Sequence, residues 1–235
     1  MLGLGNSIGG PDVFRDLNDV PSLQLWLKNG VGVAVGQWDD SSRKGRNITQ
    51  ATAGDQAAVS GGGLDFEEGD GDHYDFTPSI DVAKNQGFCV AWVMHSESNT
   101  LNTILSNTDK ETIQIQNSNK LRIFANDDSD VTTQLHVAGA FTNAKMSLVL
   151  NRTAGGVWSL MKNGSYLSIA ADGGGSSNSG DGDNIMGFTL DTVGAKNADE
   201  HFMDGKILEL AVWDRALTVG EIADVDAYLV GIHSL

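Results

Sequence analysis

Cysteine, proline and positive charge are all scarce in this chain. Of 235 residues one is cysteine and three are proline. Cys89 has no partner within the chain, which excludes an intrachain disulfide and a thiolate metal cluster. Its surroundings, "GFCVAWVM", predict a small buried hydrophobe. Lys plus Arg number 15 against 31 Asp plus Glu, a formal charge of −16. That balance argues against nucleic acid or an anionic membrane surface as partner, because both reward clustered cations through counterion release. Cations and basic protein surfaces remain compatible with it. No apolar run is long enough for a membrane-spanning helix. The start "MLGLGNSIGGPDVF" lacks the basic n-region of a secretory signal.

Several reaction motifs are absent as well. There is no GxxxxGK[ST] loop, and "GLGNSIGG" has neither a preceding strand nor a lysine, so it is no phosphate cradle. His73, His95, His136, His201 and His233 show no HxH or HExxH spacing, and no GxSxG elbow occurs. Asn-X-Ser/Thr sequons at Asn47, Asn151 and Asn163 read as turn residues in the absence of a secretory route.

What the chain does have is 29 glycines and many short apolar alternations, the pattern of strands joined by tight turns. "PDVFRDLNDVP" allows one helical turn between its prolines. "SLQLWLKNG" sets Leu23, Leu25 and Leu27 on one strand face and Trp26 on the other. "FCVAWVMH" is apolar on both faces, as a central strand of a sandwich requires. "TIQIQNSNKLRIFAND" predicts a hairpin, and "KMSLVLNR" with "GVWSLMK" another around "TAGG". Asn163 and Gly164 suit the positive φ angles of a type I′ turn. Trp26, Trp38, Trp92, Trp158 and Trp213 fall in strand-like runs and are expected in the core, whereas Tyr74, Phe141 and Tyr166 near turns are expected at the surface.

The most legible stretch is "MDGKILELAVWDRALTVGEIADVDAYL", residues 203–229. Ile207, Glu209, Ala211 and Trp213 fall on one strand face, and Leu208, Leu210 and Val212 on the other. Thr218 and Glu221 form a TxxE capping box, after which Ile222, Val225 and Leu229 lay a narrow apolar stripe on one helix face. Glu209 is expected to pair with Arg215 at the strand-to-helix corner, and the helix to close the open end of the sandwich. With no linker or internal repeat, the expected organisation is an N-terminal arm over residues 1–20 and one domain over 21–235. Many antiparallel strands and one terminal helix make this an all-β sandwich.

Three segments carry a family resemblance: "LQLWLKNG" with the Trp38, Asp40, Ser42, Gly45, Thr49 series; "FCVAWVM" with "MSLVLNRTAGGVWSLMKNGS"; and the Gly205, Ile207, Glu209, Trp213, Arg215, Leu217, Glu221 series. Together they resemble the concanavalin A-like jelly rolls of the laminin G and pentraxin type. The resemblance implies an antiparallel jelly roll with a short C-terminal helix, in which Trp38, Asn163, Gly164, Glu209, Trp213, Arg215, Thr218 and Glu221 are structural. The fold hosts lectins, glycan hydrolases, adhesion modules and virion proteins alike, so it does not settle function. The opening "MLGLGNSI" and the overall style are similar to small structural proteins of marine tailed phages. They imply a non-enzymatic virion component, in capsid decoration or in a tail or fibre. Its expected partners are other virion subunits, copies of itself and host-surface glycans. The alternative is a lectin-like carbohydrate-binding module, calcium-dependent or not, with no particle role.

Acidic loops are the candidate metal sites. "LDFEEGDGDHYDF" concentrates carboxylates, and no Lys or Arg occurs between Arg46 and Lys84. Hard cations such as Ca²⁺ take several oxygen ligands, which makes Asp70 and Asp72 candidates. Asp128 and Asp130 in "NDDSD", and Asp181 and Asp183 in "GDGDN", are the others; the resemblance implies calcium at rim loops of this kind. Solvated turns explain all three loops equally well. A glucanase of this fold would carry Glu-x-Asp-x-Glu on one strand face. Asp65 and Glu67 share a face here, but Gly69 stands where the third carboxylate belongs.

Overall fold

The structure, a computed structural model, describes residues 14–98, 100–107, 111–117, 120–126, 132–139, 141–171, 187–198 and 200–235. The chain begins with β1 (Leu23–Leu27), β2 (Val33–Ala34), β3 (Gln37–Trp38), β4 (Ile48–Thr49), β5 (Ala58–Ser60) and β6 (Gly63–Phe66). Longer strands follow: β7 (Tyr74–Val82), β8 (Phe88–Ser96), β9 (Thr100–Ser106), β10 (Thr112–Asn117), β11 (Lys120–Asn126), β12 (Thr132–Ala138) and β13 (Lys145–Arg152). The last group is β14 (Trp158–Lys162), β15 (Ser165–Leu167), β16 (Ile169–Ala171), β17 (Phe188–Val193) and β18 (Gly205–Trp213), with helix α1 (Val219–His233) closing the chain.

These strands form an antiparallel sandwich of two sheets. Sheet one has the order β15-β14-β13-β8-β18-β6-β5, with β1 also paired to β18; sheet two runs β16-β12-β11-β10-β9-β17-β7-β4-β3-β2. Alternation along each strand decides what the sheets enclose. Val90, Trp92 and Met94 of β8, Leu148 and Leu150 of β13, and Ile113, Ile115, Leu121 and Ile123 of β10 and β11 meet in one core between the sheets. Side chains of this kind stabilise by about 1.5–3 kcal/mol each when fully buried.

Sheet one has a second apolar layer on its outer face. Cys89, Ala91 and Val93 of β8, Val149 of β13 and Ala211 and Trp213 of β18 pack against Ile222, Val225 and Leu229 of α1. This is why β8 reads as apolar on both faces. Burial pushes the Cys89 thiol well above its ordinary range, in keeping with an inert packing role. The helix therefore lies across the outer face of sheet one and does not cap an open end. Leu17, which opens the 3-10 turn Leu17–Asp19, and Val20 just after it are buried in the same layer.

Two β-bulges shift the alternation that the sequence suggests. One, between Leu23 and Leu25 of β1, moves Leu23 to the helix layer beside Trp26 while Leu25 and Leu27 stay in the main core. The other, between Ile207 and Glu209 of β18, leaves Ile207 in the main core and turns Leu208 with Ala211 and Trp213 toward the helix. An extra residue on one strand flips every side chain beyond it, which binary patterning cannot reveal.

The hairpin expected at Asn163 and Gly164 joins β14 to β15, with φ of 46° and 79° at the two residues. Asn163 Oδ1 also accepts from the Ser147 amide at 2.8 Å, tying the turn to β13. Trp38 is 1% exposed and donates its indole N–H to the Lys28 carbonyl at 3.1 Å. The expected surface positions of Tyr74 and Phe141 are corrected, since both are fully buried, whereas Tyr166 is 51% exposed.

The corner after β18 differs from the expected pairing. Arg215 forms a two-pronged contact with Glu221, at 3.0 and 2.5 Å, not with Glu209. Thr218 and Glu221 complete the capping box: Thr218 Oγ1 accepts from the Glu221 amide at 3.2 Å and Glu221 Oε2 from the Thr218 amide at 2.8 Å. Hydrogen bonds from Arg215 draw the Glu221 carboxyl down to about 2. Glu209 instead faces the helix layer and is fully buried. Its Oε1 accepts from Trp26 Nε1 at 2.7 Å, and His233 Nε2 of the last helical turn lies 2.7 Å from its Oε2. Glu209 sits mid-strand on the face of Ala211 and Trp213, and β18 runs extended from there to Trp213 at roughly 3.3 Å per residue, which carries Arg215 out of its reach.

Candidate binding site

Sheet two has no helix on its outer face among the described residues. Because Ile113, Ile115, Leu121 and Ile123 point inward, alternation turns Thr112, Gln114, Gln116 and Arg122 outward. A bulge in β9 pairs Leu105 with Ile113 but Thr103 with Gln114, so that Ile104 and Leu105 both enter the core and Thr103 emerges beside Gln114. The outer face is therefore polar across β9, β10 and β11.

Two transverse rows result. In the first, Asp75 of β7, Thr192 of β17, Ser106 of β9 and Thr112 of β10 are successive register partners. In the second, Thr103, Gln114 and Arg122 are partners across β9, β10 and β11, and the Thr103 amide donates to the His201 carbonyl at 3.1 Å. Neighbouring strands lie about 4.8 Å apart. The second row thus spans roughly the length of a disaccharide.

The chain between β17 and β18 shapes the edge of this face. Lys196 and Glu200 exchange backbone hydrogen bonds and a 2.6 Å ion pair, closing a small hairpin. Ser106 Oγ donates to the Ala195 carbonyl at 2.6 Å and accepts from the Asn197 amide at 3.4 Å, fastening the hairpin to the sheet. Asn197, Ala198 and His201 all have φ between 50° and 58°, strained values for side-chain-bearing residues, of the sort that gather at binding sites.

At the first row's end lies a cleft of about 350 Å³ lined by Asp75, Phe76, Asn107, Asp191, Thr192 and Asn197, with Ala198. Thr192 Oγ1 sits 3.0 Å from both Asp75 Oδ1 and Asp191 Oδ1. One hydroxyl proton serves two carboxylates, so one of them goes without that bond. Burial chiefly, with Asp75 and Asp81 nearby, raises the Asp191 carboxyl above its usual range, against the Thr192 hydrogen bond.

Hydrogen-bonding capacity in the second row is left over. Gln114 Oε1 accepts from Arg122 Nη1 at 3.3 Å, while Gln114 Nε2, Thr103 Oγ1, Gln116 Oε1 and His201 Nδ1 have no partner. An unpartnered buried polar group costs about 1–3 kcal/mol, so four close together are not a neutral packing detail. Burial, with Lys196 and Arg122, lowers the His201 imidazole below its ordinary range, outweighing Glu200 and Glu68.

Asp70 and Asp72, two of the sequence-predicted metal residues, lie between β6 and β7. Asp72 is 2% exposed and its carboxylate accepts the Glu67 amide at 2.8 Å, holding the turn, while Asp70 is exposed. Asp128, Asp130, Asp181 and Asp183 lie outside the described residues. Asp65, weighed as a glycosidase carboxylate, is held by Lys206 at 2.6 Å. Of the site-forming residues, Asp75 stood in the acidic "LDFEEGDGDHYDF" run and His201 was a histidine without a motif; the polar positions of "TIQIQ" are the signal that could have found Gln114 and Gln116.

A two-sheet antiparallel sandwich with a helix across one outer sheet face and a polar outer face on the other sheet is a lectin-like architecture. Residues 68–223 match the family described as the concanavalin A-like lectin/glucanases superfamily, and the chain belongs to it. Solved structures agree on the fold. The binding domain of Paraclostridial Mosquitocidal Protein 1 superposes with a TM-score of 0.62 at 14% identity, over 91% of this chain and 53% of that one. The botulinum neurotoxin serotype D ligand binding domain, solved with N-acetylneuraminic acid, gives 0.62 at 16%, over 91% and 52%. Trypanosoma rangeli sialidase gives 0.57 at 15%, over 87% and 32%. The chain thus spans about half the length of the toxin domains it matches. A sequence comparison with curated proteins finds no match.

Proposed function

We propose that this protein is a non-catalytic carbohydrate-binding domain that holds glycans on the outer face of sheet two. The observation that carries the reading is the polar outer face of sheet two, on which Gln116 and Arg122 stay partly exposed and the cleft of about 350 Å³ at Asp75, Asp191 and Thr192 opens. Sugars recognise such surfaces through many hydroxyl hydrogen bonds. The lectin-like fold and the sialic acid bound to a similar toxin domain support it. A glycan array tests it. The wild type is expected to bind a restricted set of glycans, and the Gln116→Ala, Arg122→Ala double variant to lose them while keeping its thermal unfolding cooperative. Binding to no glycan, or full binding by the double variant, overturns the reading. Repeating the array with chelator measures any calcium requirement.

The setting we propose is a phage particle, with the domain as a capsid-decorating or tail component among other virion subunits and copies of itself. The formal charge of −16 supports it by keeping copies soluble and apart before assembly. Co-purification with intact virions through a density gradient is the expected result; a protein absent from washed particles refutes that setting and leaves the glycan reading standing.

A further inference from the structure

Both sheets end on the same side of the sandwich, sheet one at β5 and sheet two at β2. Two short segments hold these edges side by side. At one end the Gly30 amide donates to the Gly62 carbonyl at 2.7 Å and Asn29 Nδ2 to the Gly61 carbonyl at 3.0 Å. At the other, the Tyr74 hydroxyl donates to the Ala57 carbonyl and accepts from the Gly36 amide, each at 3.4 Å. Residues 29–38 and 56–64 carry no charged side chain, in a chain whose formal charge is −16.

The valines of this seam reach the surface. Val31, Val35 and Val59 are 45%, 61% and 44% exposed, although Val33 packs on the main core and Val59 lies across from Leu64, which belongs to it. The apolar core therefore runs outward between the two edges. Backbone groups are open there as well. The turn at Gly61 and Gly62, with φ of 59° and 84°, makes Ser60 and Gly63 the hydrogen-bonded pair, so the N–H and C=O of Val59 point away from β6. Among the described residues no further strand reaches that side of β5. Native edge strands are blunted by Lys, Pro, a bulge or brevity. Ala58–Ser60 has only brevity.

We propose that two copies of this chain pair antiparallel through β5, about a two-fold axis at Val59, so that sheet one continues from one copy into the next. The pairing names the surface for the copy-to-copy contact of the setting above and rests on that part of the reading alone. Charge selects a second copy as the occupant. Two acidic copies repel unless they meet where carboxylates are absent, and this uncharged edge is such a place for both. A two-fold contact uses the same patch on each partner and closes at two copies. The Val59 N–H and C=O of each copy exchange hydrogen bonds with those of the other, and the exposed valines meet beside the axis. With β5 only three residues long and the sheets about 10 Å apart, the contact falls below the roughly 800 Å² per partner of stable interfaces. The pairing is expected to strengthen with concentration and between copies held side by side.

The test is sedimentation of the whole chain over a range of concentrations, together with cross-linking through single introduced thiols. Cys89 is fully buried, so a thiol placed on the surface reacts alone. In the proposed pairing the two Val59 residues are a hydrogen-bonded pair with Cα atoms about 5.5 Å apart, within the span of a disulfide. Val59→Cys is expected to form a covalent dimer with oxidised glutathione, whereas Val157→Cys, at another exposed valine, stays monomeric. The wild type should sediment faster as its concentration rises. Val59→Lys sets two like charges at the axis and should sediment as a monomer while its thermal unfolding stays cooperative; if it does not fold, the Val59→Cys cross-link decides. Val59→Cys that forms no more dimer than Val157→Cys overturns the surface, as does association that survives in Val59→Lys. If the wild type is also monomeric at every concentration, the copy-to-copy contact falls with it and the edge is left to a different chain. The glycan reading is untouched by either result.

Discussion

Glu209 and Gln114 are both buried polar residues on central strands, one on the outer face of each sheet, and the protein treats them in opposite ways. Around Glu209 each carboxylate oxygen has a partner, Trp26 on one side and His233 on the other. Tyr228 packs edge-on to Trp26 at 6.2 Å, and its phenol is pushed up by burial and by the Glu209 carboxylate. Around Gln114 the amide nitrogen, the Thr103 hydroxyl and a His201 ring nitrogen have none. The first cluster is complete without a ligand and anchors the C-terminal helix to sheet one. The second is left incomplete by the protein's own groups. A satisfied buried network rigidifies a fold, and an unsatisfied one is a cost that selection tolerates where function requires it.

The comparison breaks most visibly at Glu209. Glu209→Ala strands His233 and the Trp26 indole in the apolar helix layer, and loss of one partner from a buried pair costs about 3–5 kcal/mol. Urea denaturation should show that loss, whereas Thr103→Val on the opposite face should change stability by less than about 0.5 kcal/mol. Equal losses at the two sites would erase the distinction between them.

A smaller effect sharpens the structural side. Glu221 has a folded-state pKa of about 2 against an ordinary 4.5 because Arg215 and the Thr218 amide hold its charged form. Since the folded value lies below the unfolded one, its stabilisation is fully present above about pH 4.5 and fades as pH falls toward 2. Stability curves of Glu221→Gln and wild type should converge over that window and separate above it. Parallel curves down to pH 2 would show that the corner contributes no charge linkage.

The sequence carried the sheet-one side of this comparison well. The capping box, the Ile222, Val225, Leu229 stripe, the doubly apolar β8 and the Asn163-Gly164 turn are local signals, each governed by residues within a few positions. Glu209 shows where locality ends: its partners lie 183 and 24 positions away in the chain, and the nearer Arg215 takes Glu221. The ligand face was harder still. "TIQIQ" announces an outward polar stripe, but its alignment with Thr103 depends on the bulge in β9, and His201 arrives from nearly a hundred residues further along. Acidic loops drew attention because carboxylates cluster visibly in sequence. Asp72, in such a loop, serves a turn, and the carboxylates that do meet, Asp75 and Asp191, lie far apart in the chain.

The most direct measurement is an amide-resolved NMR titration of the wild type with a glycan selected on the array. Shifts concentrated at Thr103, Gln114, Gln116, Arg122 and the 195–201 hairpin, with α1 and Trp26 unmoved, are what a ligand on the outer face of sheet two produces. Shifts confined to the helix layer or to the Glu67–Asp72 turn, with Thr103 and Gln114 silent, would contradict it.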